Sequence, residues 1–129
     1  MEDTMDISRL RQKLNGLFDK MNDLRQSFME RNPMLNGGVY QTRTKCGNPN
    51  CKCMREGKLH TVWRYYYCQN GKRKIKTLKK KDILKYQKLT ERYIKFREAR
   101  ARFVKLHKET LELLNLIEAD LIEKGKKEL

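Results

Sequence analysis

The run VWRYYYCQNGKRKIKTL, residues 62–78, decides the fold. Val62 to Cys68 is rich in aromatic side chains, and Lys74 to Leu78 returns beyond Asn70-Gly71. Asn-Gly supplies the two positive φ angles of a type I′ turn, so the spacing predicts a β-hairpin over residues 61–78. With a two-residue loop, Cys68 faces Arg73. Side chains alternate between faces along a strand. Trp63, Tyr65 and Tyr67 therefore share one face with Lys72, Lys74 and Lys76. Val62, Arg64, Tyr66, Cys68 and Ile75 take the other, which is the face expected to be buried, because a hairpin alone is marginal and must cover one side. The first face then offers rings for base stacking, worth about 1–3 kcal/mol per base, beside lysines that track phosphates. Plain packing is the competing reading, with the rings against a helix and the lysine stems snorkelling at its edge.

Upstream, residues 39–60 read as a loop-rich segment holding three of the four cysteines. The tight part runs Cys46-Gly-Asn-Pro-Asn-Cys51-Lys-Cys53 and reaches His60. Gly, Asn and Pro let the backbone fold back so that sulfurs converge at about 2.3 Å from one Zn²⁺. Cys46, Cys51, Cys53 and His60 form the expected ligand set, with Cys68 as the alternative fourth ligand and free or disulfide-bonded thiols as the plain reading. A closed four-ligand site is structural, since it leaves no position for water or substrate.

Two helical patterns flank this module. Ile7, Leu10, Leu14, Leu17, Met21, Leu24 and Phe28 recur in alternating steps of 3 and 4, a coiled-coil seam, which predicts a helix over residues 6–31. Asp3 or Asp6 suits its N-cap. Gly16 weakens its middle by about 1 kcal/mol relative to Ala, and Asn32-Pro33 ends it. From Asp82 to about Lys124 the pattern is helical again, with Ile83, Tyr86, Leu89, Tyr93, Phe96, Phe103, Leu106, Leu114, Ile117 and Leu121 as the apolar set and Gly125 as the stop. So long a helix must either break, near Glu98–Arg102, or pair with the first. The expected fold is mainly α with a small β-hairpin: two long helices, a helical hairpin or coiled coil, flank a zinc-knuckle and hairpin module. The expected segments are 1–38 (heptad helix and linker), 39–80 (knuckle and hairpin) and 81–129 (long basic helix).

The residues from Cys46 to Lys72 resemble a small prokaryotic and phage domain family of unknown function. Its members show Cys-Gly-x-Pro-x-Cys-x-Cys, then His-Gly-Pro-Tyr, a Gly-Lys turn and a long trailing helix. The resemblance covers roughly residues 40–110. This chain reads His60-Thr61-Val62-Trp63 after the knuckle, keeping the histidine and an aromatic. The family lacks a cysteine at the position of Cys68, which agrees with His60 as the ligand. The resemblance implies no activity. The family's association with mobile elements and phage points toward nucleic acid.

Charge points the same way. The chain has 129 residues, a net charge of +15 and a mean hydropathy of −0.92. Residues 41–110 hold 22 basic and 5 acidic side chains, whereas residues 1–40 are balanced at 6 and 6. A block this basic repels itself unless an anion neutralises it, and phosphates do so while releasing counterions. The expected phosphate and base contacts are Trp63, Arg64, Tyr65, Tyr67, Lys72, Arg73, Lys74, Lys76, Lys79, Lys80, Lys81, Lys85 and Arg92. No apolar run is long enough for a membrane span, and the acidic start lacks the apolar core of a secretory signal. A cytoplasmic protein is therefore expected. No phosphate-cradling glycine loop and no nucleophile–base pair is visible, so enzyme activity is not expected. Two functions follow as expectations. One is a nucleic-acid-binding accessory protein, of DNA or RNA, with a structural zinc knuckle. The alternative is an oligomerisation or protein-interaction module that uses residues 7–28 on a second copy or an acidic partner.

Overall fold

The computed structural model describes residues 6–45, 48–51, 56, 57 and 59–129. The chain is mixed: a bent N-terminal helix, a three-stranded antiparallel sheet and one long helix. The elements are α1 (Ile7–Asp23), α2 (Arg25–Met29), β1 (Gly38–Thr44), β2 (His60–Gln69), β3 (Lys72–Thr77) and α3 (Ile83–Lys127). Contacts group the chain into two compact units. One joins the residues up to Glu30 with Phe96–Leu129, and the other is Arg31–Lys95.

The first unit is a helical pair. The Asp6 carboxylate accepts from the Arg9 backbone N–H at 2.9 Å, satisfying a donor that the first helical turn leaves orphaned. The helix does not run on to residue 31 as expected. It tightens at Leu24, whose N–H donates to the Met21 carbonyl, and resumes as α2, ending at Met29. The apolar seam of this bent helix faces its own chain: Phe28 of α2 meets Phe96 and Phe103 edge-on, at 5.6 and 5.8 Å between ring centroids. Phe96 and Phe103 lie two turns apart, so Phe28 sits over the turn between them, where Ala99 is buried. The apolar gap at residues 98–102 is thus the small-residue notch for an aromatic ring, and α3 passes through it unbroken. The seam of α3 reads Phe96, Ala99, Phe103, Leu106, Thr110, Leu113 and Ile117, again in steps of 3 and 4. Thr110 is buried there without cost because its hydroxyl donates to the Leu106 carbonyl at 2.7 Å. Leu114 and Leu121, expected in the core, lie outside it at 40% and 47% exposure. Gly125 is not a stop either, since α3 continues to Lys127.

The second unit corrects the hairpin to a sheet of order β1-β2-β3. Residues 38–44, expected in a linker and loop, form β1 because Val39, Tyr40, Thr42 and Thr44 carry strand-forming side chains and the free edge of β2 needs partners. The turn at Asn70-Gly71 has φ of 53° and 77°, as type I′ requires. Cys68 pairs with Arg73, and Tyr65 and Tyr67 pair with Lys76 and Lys74.

The buried side of the sheet is the opposite of the one expected. Tyr65 is buried, whereas Ile75 is 59% exposed and Cys68 is exposed. Tyr86 of α3 lies against Tyr65, at 5.3 Å between ring centroids. The larger rings cover more surface than Val62 and Ile75 could, so they take the helix.

Residues 33–37 are clipped between α3 and β2. Leu35 N–H donates to the Leu89 carbonyl, and Arg92 donates to the Pro33 carbonyl. Asn36 donates its side-chain amide to the Cys68 carbonyl and accepts the Tyr65 hydroxyl on its own carbonyl at 2.6 Å. No helix of the described residues is long and apolar enough to cross a membrane.

Candidate nucleic-acid interface and metal knuckle

The expected knuckle falls in the connection from β1 to β2. That connection closes where Thr44 pairs with His60. Within it, Asn48 organises a turn: its side-chain oxygen accepts from Asn50 N–H and its carbonyl from Cys51 N–H, both at 3.0 Å. The turn brings Cys51 Sγ to 2.6 Å from His60 Nε2. Two residues nine positions apart thus converge donor atom to donor atom. One tetrahedral zinc ion bound by both would hold the two atoms about 3.6 Å apart. Cys46 and Cys53, the other expected ligands, lie outside the described residues. Cys68 is described, and it sits at the far end of β2. Eight residues of strand place it about 26 Å from His60 along β2.

Strand β3 carries the densest described charge. Lys72, Arg73, Lys74 and Lys76 are all exposed, as is the whole strand. Lys79, Lys80, Lys81 and Lys85 follow, also exposed. Ion pairs join Lys124 to Asp120 and Lys126 to Glu123, both near the end of α3. Of the basic side chains of β3, Lys76 lies within the field of the Asp82 carboxylate, which adds to the rise in its pKa.

The expected contacts divide on inspection. Tyr65 presents no free ring face: it is buried, stacked on Tyr67 at 4.7 Å and 9°, and its hydroxyl is engaged. Burial, and after it the neighbouring Tyr67 and Tyr86, raise its pKa above the ordinary tyrosine value. Tyr67 and Trp63 are half-buried on the same side. Lys76 reaches the Tyr86 hydroxyl at 2.8 Å and lies 5.2 Å from that ring's centroid. This hydrogen bond chiefly raises the Lys76 pKa and keeps its charge. Arg92 holds the Pro33 carbonyl, which gives it a structural task. Arg64 is half-buried, and its Nε is covered without a hydrogen-bond partner.

The open side of the sheet, that of Tyr66, is the one the sequence reading expected to be buried, and Tyr40 was not among its expected contacts. There Tyr40 and Tyr66 approach at 5.7 Å with a 58° tilt, Tyr40 being 58% exposed. An open cleft of about 750 Å³ lies beside them, lined also by Tyr67, Arg73, Lys74 and Tyr93. The alternation of Val39-Tyr40-Gln41-Thr42 was the signal that could have placed Tyr40 on this face. Among the described residues, no three metal-ligating side chains converge. The model of one protein family, a domain of unknown function, matches the chain over residues 7–102. No curated protein and no solved structure matches it.

Proposed function

We propose, for a chain that belongs to the DUF6788 family, a domain of unknown function, that it is a non-enzymatic nucleic-acid-binding protein with a structural zinc knuckle. The observation that carries this reading is β3: six exposed residues, four of them basic. A phosphate backbone supplies anions at a matching density and gains by releasing counterions. Lys79, Lys80, Lys81 and Lys85 extend the same positive surface. Zinc, held by Cys46, Cys51, Cys53 and His60, would fix the connection that leads into β2. The approach of Cys51 to His60 supports that assignment. The alternative, recruitment of a partner or second copy through residues 7–28, is less favoured, because Phe28 already packs on α3 within the first unit.

Fluorescence anisotropy of the purified full chain against labelled DNA and RNA, each at several salt concentrations, tests the reading. The expected result is an affinity whose logarithm falls linearly with log salt, and which drops when Lys72, Lys74 and Lys76 become Ala. Binding that ignores both salt and these substitutions would overturn it. The metal is tested separately by cobalt substitution. Intense thiolate-to-cobalt absorption, lost in Cys51→Ser and altered in His60→Ala, is expected; a chain that takes up neither cobalt nor zinc would remove the knuckle.

A further inference from the structure

We infer that the open side of the sheet is a stacking site for unpaired bases, so that the nucleic acid bound is single-stranded. The inference deepens the function proposed above and rests on it. It begins from how the tyrosines are arranged. Tyr65 and Tyr67 lie nearly parallel and close each other's faces. Tyr40 and Tyr66 do not: their 58° tilt leaves ring surface free for a third ring. Tyr40 comes from β1 and Tyr66 from β2, where the ladder sets Gly38 opposite Tyr66 and Tyr40 opposite Arg64. Glycine at position 38 is what lets the Tyr40 ring lean across: a Cβ there would meet that ring at 2.6 Å.

The neighbouring cleft, about 750 Å³, is within the range of small-ligand sites, about 300–1,000 Å³, and so has room for a base with its sugar. Its lining adds to the tyrosines Arg73, which shares the face of Tyr66, and Lys74, which comes from the other face at the hairpin end of the sheet. Rings beside cations on a sheet are the combination that holds a strand whose bases are splayed out: the rings take the bases and the cations take the phosphates. A duplex cannot use it, because its bases already stack on one another and show only their edges in the grooves. An anionic protein would be served by the cations but gives no reason for exposed, unclosed aromatic faces.

The test uses the full chain with labelled oligo-dT, oligo-U and a duplex of equal length, at one salt concentration and then across several. Oligo-dT or oligo-U is expected to bind at least tenfold more tightly than the duplex; which of the two binds better identifies the sugar preferred. Tyr40→Ala with Tyr66→Ala should lose about tenfold or more for the single strand, from about 1–3 kcal/mol per stacked base. Duplex binding should stay unchanged. Tyr40→Phe with Tyr66→Phe should bind like the parent, because stacking needs the ring and not the hydroxyl. Photocrosslinking of iodouridine-substituted oligo-U to the unmutated chain supplies a readout independent of mutant folding: adducts are expected on Tyr40 or Tyr66. Equal or tighter duplex binding, an alanine pair that binds as the parent does, or adducts confined elsewhere would each overturn the inference. Salt-dependent binding in those cases would leave the broader function standing. Absence of any salt-dependent binding would remove both.

Discussion

Gly37 stands at φ +97°, and a Cβ there would run into the Tyr66 carbonyl oxygen. Both the dihedral and the contact exclude a side chain, and the contact is with backbone that cannot swing away. Gly37→Ala should therefore cost about 3 kcal/mol, combining a strained dihedral with overpacking; urea denaturation measures it. Gly16 is the contrast. Nothing lies within 4 Å of its Cβ position and it is helical, so Gly16→Ala should gain about 1 kcal/mol. Tyr65 and Lys76 set a pH dependence. Both have raised pKa values, Tyr65 chiefly through burial and Lys76 chiefly through its hydrogen bond to Tyr86. Their contributions are whole below the unfolded values, about 10 and 10.4, and are lost as pH rises through the folded ones. Stability of the second unit should thus fall above about pH 10, and less steeply in Tyr65→Phe, which also gives up about 1 kcal/mol at neutral pH with its hydrogen bond. Denaturation monitored between neutral and strongly alkaline pH decides this. At this scale the turn glycine was legible, because Asn-Gly has a known dihedral demand. Gly37 was not, because its demand comes from a strand 29 residues away in sequence.

At the scale of elements, the two helices are held by matched stripes, and the register of α3 is the point the sequence left ambiguous. Leu113 and Leu114 are adjacent and chemically identical. Only the neighbour decides, and Leu113 is 7% exposed while Leu114 is 40%. Leu113→Ala should destabilise by about 2 to 4 kcal/mol and Leu114→Ala by less than about 0.5, read from thermal or urea unfolding of the two variants side by side. The seam of α1 was legible because no other apolar set competes on that helix. The sheet was legible in pairing and turn but not in orientation. Alternation says which residues share a face, yet both faces of β2 are aromatic. Burial was settled by Tyr86, which α3 presents to Tyr65. The strand β1 was missed because Gly37-Gly38 reads as a turn until one sees Gly37 pressed against the backbone of β2.

For the molecule as a whole, charge is the property that was plainest from the start. If Lys72, Lys74 and Lys76 each meet one phosphate of a single strand, their joint replacement by Ala should flatten the log–log salt slope by about 2, at about 0.7 per contact. Affinity measured over a salt series for parent and variant gives that number directly. The sequence segments, 1–38, 39–80 and 81–129, follow motifs, and the compact units change near Glu30 and Lys95. The later boundary falls inside α3, a single uninterrupted helix. A chain severed there would leave four carbonyls without helical partners and would take from the first unit the α3 half of its seam. Recombination cannot trade one unit for another at such a junction without destroying both. The matched family region, residues 7–102, also runs past that junction. Residues of both units thus fall within one family region, and a gene fusion or domain exchange has to respect the helix they share.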